Sequence, residues 1–202
     1  MSGFYRFVRA VVSFLSMLFF RVKFYGKENI PETGGIIAAG NHRCGWDAIF
    51  VARGISKRQI FFMGKAEFFD IPILKHAFRA LGAYPVRRGR GDTSALDAAI
   101  DVVNKGNIMG IFPEGTRNMT EELKPQTGVS VIAAASGGDV LPISIYFKGK
   151  ISLFKKVTVR FGKPIKNSEL CSSTVMTSKE RKAAAKLIMD RIADMYHLGH
   201  EQ

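Results

Sequence analysis

Acidic residues are scarce in this chain. Seventeen Asp and Glu stand against thirty Lys and Arg, and no acid precedes Glu28. The resulting charge of +13 points to an anionic partner: nucleic acid, anionic lipid or a phosphorylated small molecule. Cysteine is scarcer still. Cys44 and Cys171 are too few for a disulfide scaffold and suit a reducing compartment. Neither belongs to a Cys-x-x-Cys pair, which argues against structural zinc. The uncharged stretch from Ala10 to Phe20 falls short of the roughly 20 apolar residues that a spanning helix requires. No small-residue cleavage site follows it, and Arg21 and Lys23 interrupt, so a signal peptide is not expected either.

What is present is a globular composition. Of 202 residues, 47% are hydrophobic and 23% charged, enough for one domain with its own core. The N-terminal stretch is flanked by Arg6, Arg9, Arg21 and Lys23, a pattern that fits a helix lying in the interface of an anionic membrane. An N-terminal helix packed on the core is the alternative.

Short apolar, β-branched or aromatic runs predict strands at Val22–Tyr25, Gly35–Ala39, Gln59–Met63, Ile108–Phe112, Val140–Tyr146 and Val157–Phe161. A helix is expected from about Thr93 to Asn104, with Leu96, Ile100 and Val103 on one face and Gly106 as its stop. Another begins at the capping box Thr177-Ser-Lys-Glu180 and carries Leu187, Ile188, Ile192 and Met195. Alternating strands and helices imply an α/β domain with a mostly parallel central sheet flanked by helices. Ligands of such sheets collect beyond the carboxyl ends of the strands.

Two polar clusters fall at such ends. The strand Gly35–Ala39 runs into Asn41-His42-Arg43-Cys44-Gly45-Trp46-Asp47. A spacing of five does not stack His42 on Asp47 along a helix, so contact requires a turn, which Gly45 permits. In contact, the carboxylate would fix the imidazole tautomer and stabilise the imidazolium of a general base. With no serine placed against the histidine, the attacking hydroxyl would belong to the substrate. Asp47 could equally cap the helix beginning at Ala48, leaving His42 a satisfied buried residue. Cys44 as a nucleophile is a third reading, with nothing but His42 nearby to activate it. The second cluster is Pro113-Glu114-Gly115-Thr116-Arg117, after the strand Ile108–Phe112. Glu114 can accept from a glycerol hydroxyl, Gly115 allows close backbone approach, Thr116 offers a hydroxyl, and Arg117 presents a fork suited to phosphate. A surface turn with Glu114 and Arg117 paired is the plain alternative.

Asn41-His42-x4-Asp47, followed about seventy residues later by Phe112-Pro-Glu-Gly-Thr-Arg117, resembles the glycerolipid acyltransferases, in particular their bacterial 1-acyl-glycerol-3-phosphate branch. Val22–Pro31 is similar to the family's entry strand, and Gly82–Arg88 to its second block. Val140–Ile143 is similar to the fourth block, and Phe161–Pro164 to the last strand. The resemblance implies an interfacial helix over residues 1–21 and an acyltransferase domain over 22–202. It implies His42 as base and Asp47 as its partner. Lys65, Arg88 and Arg117 would hold the acceptor's phosphate, with Arg87 as an alternative to Arg88. Glu114 and Gly115 would meet the glycerol, and Pro142 would shape the acyl-donor side.

The implied reaction esterifies the 2-hydroxyl of lysophosphatidic acid from acyl-CoA or acyl carrier protein, without cofactor or metal, with glycerol-3-phosphate or another lysolipid as the alternative acceptor. It would proceed at the cytoplasmic face of the cell membrane, on a peripheral or monotopic protein. Cys44 stands where many members carry serine, and Arg87 where an acid is common. From Val140 to Ser168 there are seven Lys and Arg and no acid, a run that fits an anionic lipid surface. A basic module for nucleic acid would also explain the charge, but the chain has no RNP-like block, zinc spacing or helix-turn-helix pattern.

Overall fold

The computed structural model describes residues 3–70, 75–76, 82–86, 94–118, 120, 122–171 and 173–199. The run Ile36–Gly40 (β2) is buried along its whole length, as a strand covered on both faces must be. Around it, β1 (Phe20–Tyr25), β3 (Ile60–Lys65), β4 (Ala83–Val86), β5 (Ile108–Ile111), β6 (Asp139–Tyr146) and β7 (Lys155–Phe161) complete one sheet. The strand order is β1-β7-β6-β2-β5-β3-β4. Every neighbouring pair is parallel except β6 with β7. Strands β2 to β6 therefore point one way and deliver their carboxyl ends to one edge. At that same edge β7 and β1 begin.

Successive strand residues point to opposite faces, and two cores result. Ile37, Ala39, Met109 and Ile111 pack beneath α3 (Ser94–Asn104), α4 (Gly128–Ser136) and α6 (Ser178–His197). Ile36, Ala38, Ile108 and Ile143 pack with Phe50, Val51 and Ile55 of α2 (Asp47–Gly54) and the residue after it. A one-turn helix, α5 (Asn167–Leu170), closes the first core with Leu170. The expected caps are in place. Thr177 accepts from the Glu180 N–H while the Glu180 carboxylate reaches back to the Thr177 N–H. Gly106 ends α3 at φ 74, with the Gly106 and Asn107 amides closing on the Val103 and Val102 carbonyls.

Three details differ from the sequence reading. β1 starts at Phe20, two residues early, because Arg21 and Lys23 sit on the exposed side of an edge strand. Ala83–Val86 is a strand, short and carrying Pro85, and so silent by periodicity. α4 was not expected; its small and apolar residues show no polar face because nearly every one is covered.

The N-terminal helix α1 (Gly3–Phe19) packs on the domain through its less apolar face. Tyr5 and Ser16 are buried, Arg9 donates to the Ser56 carbonyl at 2.5 Å, and Arg53 of α2 donates to Ser16 Oγ at 2.7 Å. Phe4, Phe7, Val11, Phe14, Leu15 and Leu18 face outward. This helix is both docked and turned apolar side out. Among the described residues, no helix is long and apolar enough to cross a membrane.

Candidate active site

β2 and β5 are neighbours, with Ala39 beside Ile111, so the two motifs emerge side by side. Asn41 prolongs β2 beyond its last backbone pair: its side-chain amide donates to the Ile145 carbonyl and accepts from the Ile145 N–H. That two-way contact fixes the direction in which His42 leaves the sheet. The His42 N–H donates to Glu114 Oε2 at 2.6 Å, and the Asn118 N–H donates to the His42 carbonyl at 2.7 Å. The loop after β5 thus clamps the histidine's backbone from both ends.

The histidine and aspartate meet. His42 Nδ1 lies 2.8 Å from Asp47 Oδ2, with Asp47 fully buried and the His42 side chain 19% exposed. An ionised carboxylate only accepts, so Nδ1 carries the proton and Nε2 keeps its lone pair. The opposite ring nitrogen has no hydrogen-bond partner among the described residues. Phe112 stacks on the imidazole at 4.3 Å and 14°, and Phe62 stacks on Phe112 behind it. The ring is held from two sides, with its bare nitrogen able to take a proton from a bound hydroxyl.

Asp47 opens α2 without capping it: Trp46 is the N-cap, and the carboxylate turns back to the preceding loop. Its Oδ2 accepts from the backbone N–H of Arg43 at 2.5 Å and of Cys44 at 2.7 Å, and Oδ1 accepts from the Cys44 thiol at 3.1 Å. These bonds build the turn, and Gly45 contributes no left-handed backbone to it. The bend depends on the carboxylate, not on glycine as the sequence suggested. Burial and the adjacent Asp47 push the Cys44 thiol up, so the sulfur remains a proton donor, unsuited to attack.

The second motif forms a tight turn. The Gly115 N–H donates to the Phe112 carbonyl at 3.0 Å, with Pro113 at the second position and Gly115 at φ 73. Glu114 is 7% exposed, and its Oε1 has no hydrogen-bond partner among the described residues. Burial pushes its carboxyl up from the ordinary range, opposed by the His42 N–H. Thr116 and Arg117 are exposed beside it, and no ion pair joins Glu114 to Arg117. Lys65 closes β3 at the same sheet edge, whereas Arg87 and Arg88 lie outside the described residues. Pro142 is buried in β6 beside Ala39, and its carbonyl accepts from the Gly162 N–H.

Sequence reasoning missed four supports: Asn41 as the strand extension, Phe112 as the ring's platform, and the pair Arg43 and Tyr196. Arg43 is buried, donates to Tyr196 Oη at 2.6 Å, and lies over the Phe147 and Tyr196 rings. It ties the His42–Asp47 turn to the end of α6. No local signal could reveal a partner 153 residues away.

A mostly parallel sheet that presents a buried-carboxylate, part-exposed imidazole pair beside a glycine turn has the parts to take a proton from a substrate hydroxyl, as acyl transfer to an alcohol requires. The sequence pattern of the acyltransferase family matches residues 21–146, and the chain belongs to that family. It is 33% identical over 169 residues to the 1-acyl-sn-glycerol-3-phosphate acyltransferase of Bacillus subtilis, covering 81% of each chain. With the enzyme of that name from Streptococcus pneumoniae it shares 28% over 174 residues, 83% of this chain and 64% of the other. The crystal structure of the 1-acyl-sn-glycerophosphate acyltransferase PlsC from Thermotoga maritima matches with a TM-score of 0.71 at 25% identity. That match covers 95% of this chain and 80% of the other.

Proposed function

We propose that the chain transfers a fatty acyl group from acyl-CoA or acyl carrier protein to the 2-hydroxyl of 1-acyl-glycerol-3-phosphate, giving phosphatidic acid. The contact between His42 Nδ1 and Asp47 carries this reading, and the names of the relatives support the acceptor. His42 Nε2 takes the hydroxyl proton as the oxygen attacks the thioester carbonyl. The tetrahedral adduct then expels the thiolate, which takes the proton back from the imidazolium. Asp47 stabilises the imidazolium throughout.

Lys65, Arg88 and Arg117 bind the acceptor's phosphate, joined by the Thr116 hydroxyl. Glu114 and Gly115 lie against the glycerol, and Pro142 supports the donor side. In the second loop, the amides of Gly115 and Asn118 are committed to backbone carbonyls. Those of Thr116 and Arg117 have no such bond among the described residues and can meet an oxyanion. The reaction requires no metal or cofactor, because a thioester is already activated.

In this reading the protein works at the cytoplasmic face of the cell membrane as a peripheral or monotopic enzyme, and the outward apolar face of α1 supports contact with a bilayer surface. An acceptor screen with purified protein tests the assignment. Phosphatidate formed from lysophosphatidic acid at roughly ten times the rate with glycerol-3-phosphate or other lysolipids is expected. A preference for another acceptor would replace this one.

A further inference from the structure

We propose that the β6–β7 hairpin tip, Leu153 and Phe154, is a second membrane-inserting element that shares one lipid plane with α1. The proposal rests on the membrane reading of α1 and assigns a role to residues outside that helix. Both side chains are 63% exposed, an unusual state for adjacent large apolar residues on a turn. Phe154 also adopts φ 59, a left-handed conformation that disfavours a bulky side chain and that Asn or Gly would occupy with less strain. Folding alone does not call for phenylalanine there.

Position supplies the second argument. β7 begins at the sheet edge where β2 and β5 deliver His42 and Glu114, so the tip stands at the active-site edge. The Phe154 N–H donates to the Phe19 carbonyl at 2.6 Å, and Lys155 is in register with Phe20. The tip is therefore fastened to the last residue of α1. Its apolar pair thus adjoins the carboxyl end of the helix whose Phe14, Leu15 and Leu18 are exposed. Trp46, the residue before Asp47, packs edge-on against Phe19 and Phe20, so this corner also borders the catalytic turn.

Charge identifies the partner. Lys148, Lys150 and Lys156 are exposed around the tip, with Arg21 and Lys23 beside them on β1, and none makes an ion pair among the described residues. Apolar residues ringed by lysine match an anionic bilayer, with the side chains below the headgroups and the ammonium groups level with the phosphates. Attachment of the tip to the end of α1, a helix turned apolar side out, favours this partner over an acidic protein.

The test is sedimentation of the full chain with vesicles of phosphatidylcholine containing phosphatidylglycerol. The double variant Leu153→Ser/Phe154→Asn should lower the partition coefficient by roughly tenfold or more. Asn suits the backbone at 154, so the thermal melt should not change. Val175→Ser, which removes an exposed apolar residue far along the chain, should bind like the parent. A Phe154→Trp variant should add a blue-shifted emission that brominated lipids quench beyond the contribution of Trp46. If the parent binds vesicles and the double variant binds equally well, the tip proposal fails while the reading of α1 stands. If the parent does not bind, both fall. If the double variant loses affinity for acyl carrier protein but not for vesicles, the tip serves a protein partner and the proposal is overturned.

Discussion

Replacing Asp47 and His42 separately by alanine should give similar losses of rate and very different losses of stability. Asp47 is fully buried and receives the Arg43 and Cys44 amides, the His42 ring and the Cys44 thiol. Asp47→Ala leaves two buried N–H groups without acceptors, at about 1–3 kcal/mol each, so on the order of 4 kcal/mol is lost. His42→Ala removes a partly exposed ring and its stack on Phe112, which costs about 1 kcal/mol. In rate, His42→Ala loses a general base, worth on the order of 10²–10⁴. Asp47→Ala frees the tautomer and should lose a comparable factor, and the double variant should be no slower than the worse single one. Initial rates of radiolabelled acyl transfer and urea unfolding at neutral pH provide the two readings. Equal stability of the two variants, or multiplicative rate losses in the double variant, would refute a carboxylate that both builds the turn and orients the base.

Three further outcomes follow from the geometry. Burial raises the Glu114 carboxyl in the folded protein, so the native state holds its proton to higher pH than the unfolded chain. Its ionisation therefore lowers stability as pH rises from the ordinary carboxylate value through the raised one. Glu114→Gln keeps an acceptor for the His42 amide, and its melting temperature should exceed the parent's near neutral pH, with the gap closing in acid. Cys44→Ser should retain a rate within roughly threefold, because a hydroxyl also donates to Asp47 Oδ1. In the native parent, a thiol reagent should titrate Cys171 and spare Cys44. Gly110→Ala would place a methyl 2.3 Å from the Phe62 ring, which stacks on Phe112 beneath His42. Thermal unfolding should report a loss of about 1–3 kcal/mol, together with a reduced kcat.

Much of this architecture was legible because it is locally encoded. The capping box before α6, the Gly106 stop after α3 and the apolar runs of β2 and β5 each act within a few residues. The meeting of His42 with Asp47 could be posed from sequence but not decided, since capping by Asp47 uses the same letters. The structure answers that the carboxylate meets the imidazole and the loop amides before the helix and does not cap α2, whose N-cap is Trp46, and that Gly45 contributes no left-handed turn. What stayed hidden is non-local. Asn41 finds Ile145 across β6, and Arg43 finds Tyr196 at the far end of the chain. The basic flanks of the first uncharged run implied an interfacial helix, but which side of it faces outward was decided by Tyr5, Arg9 and Ser16, which dock the opposite side. The short strand β4, carrying Pro85, has no pattern of its own and exists because β3 offers it a partner.

Nitrogen NMR of protein labelled at histidine, with His42→Ala to assign the signal, interrogates the imidazole itself. At neutral pH the His42 resonances should show a protonated Nδ1 bonded to a carboxylate and a bare Nε2, and Asp47→Asn should abolish that state. A ring protonated at Nε2, or a signal indifferent to Asp47→Asn, would contradict the assignment of His42 as the oriented base.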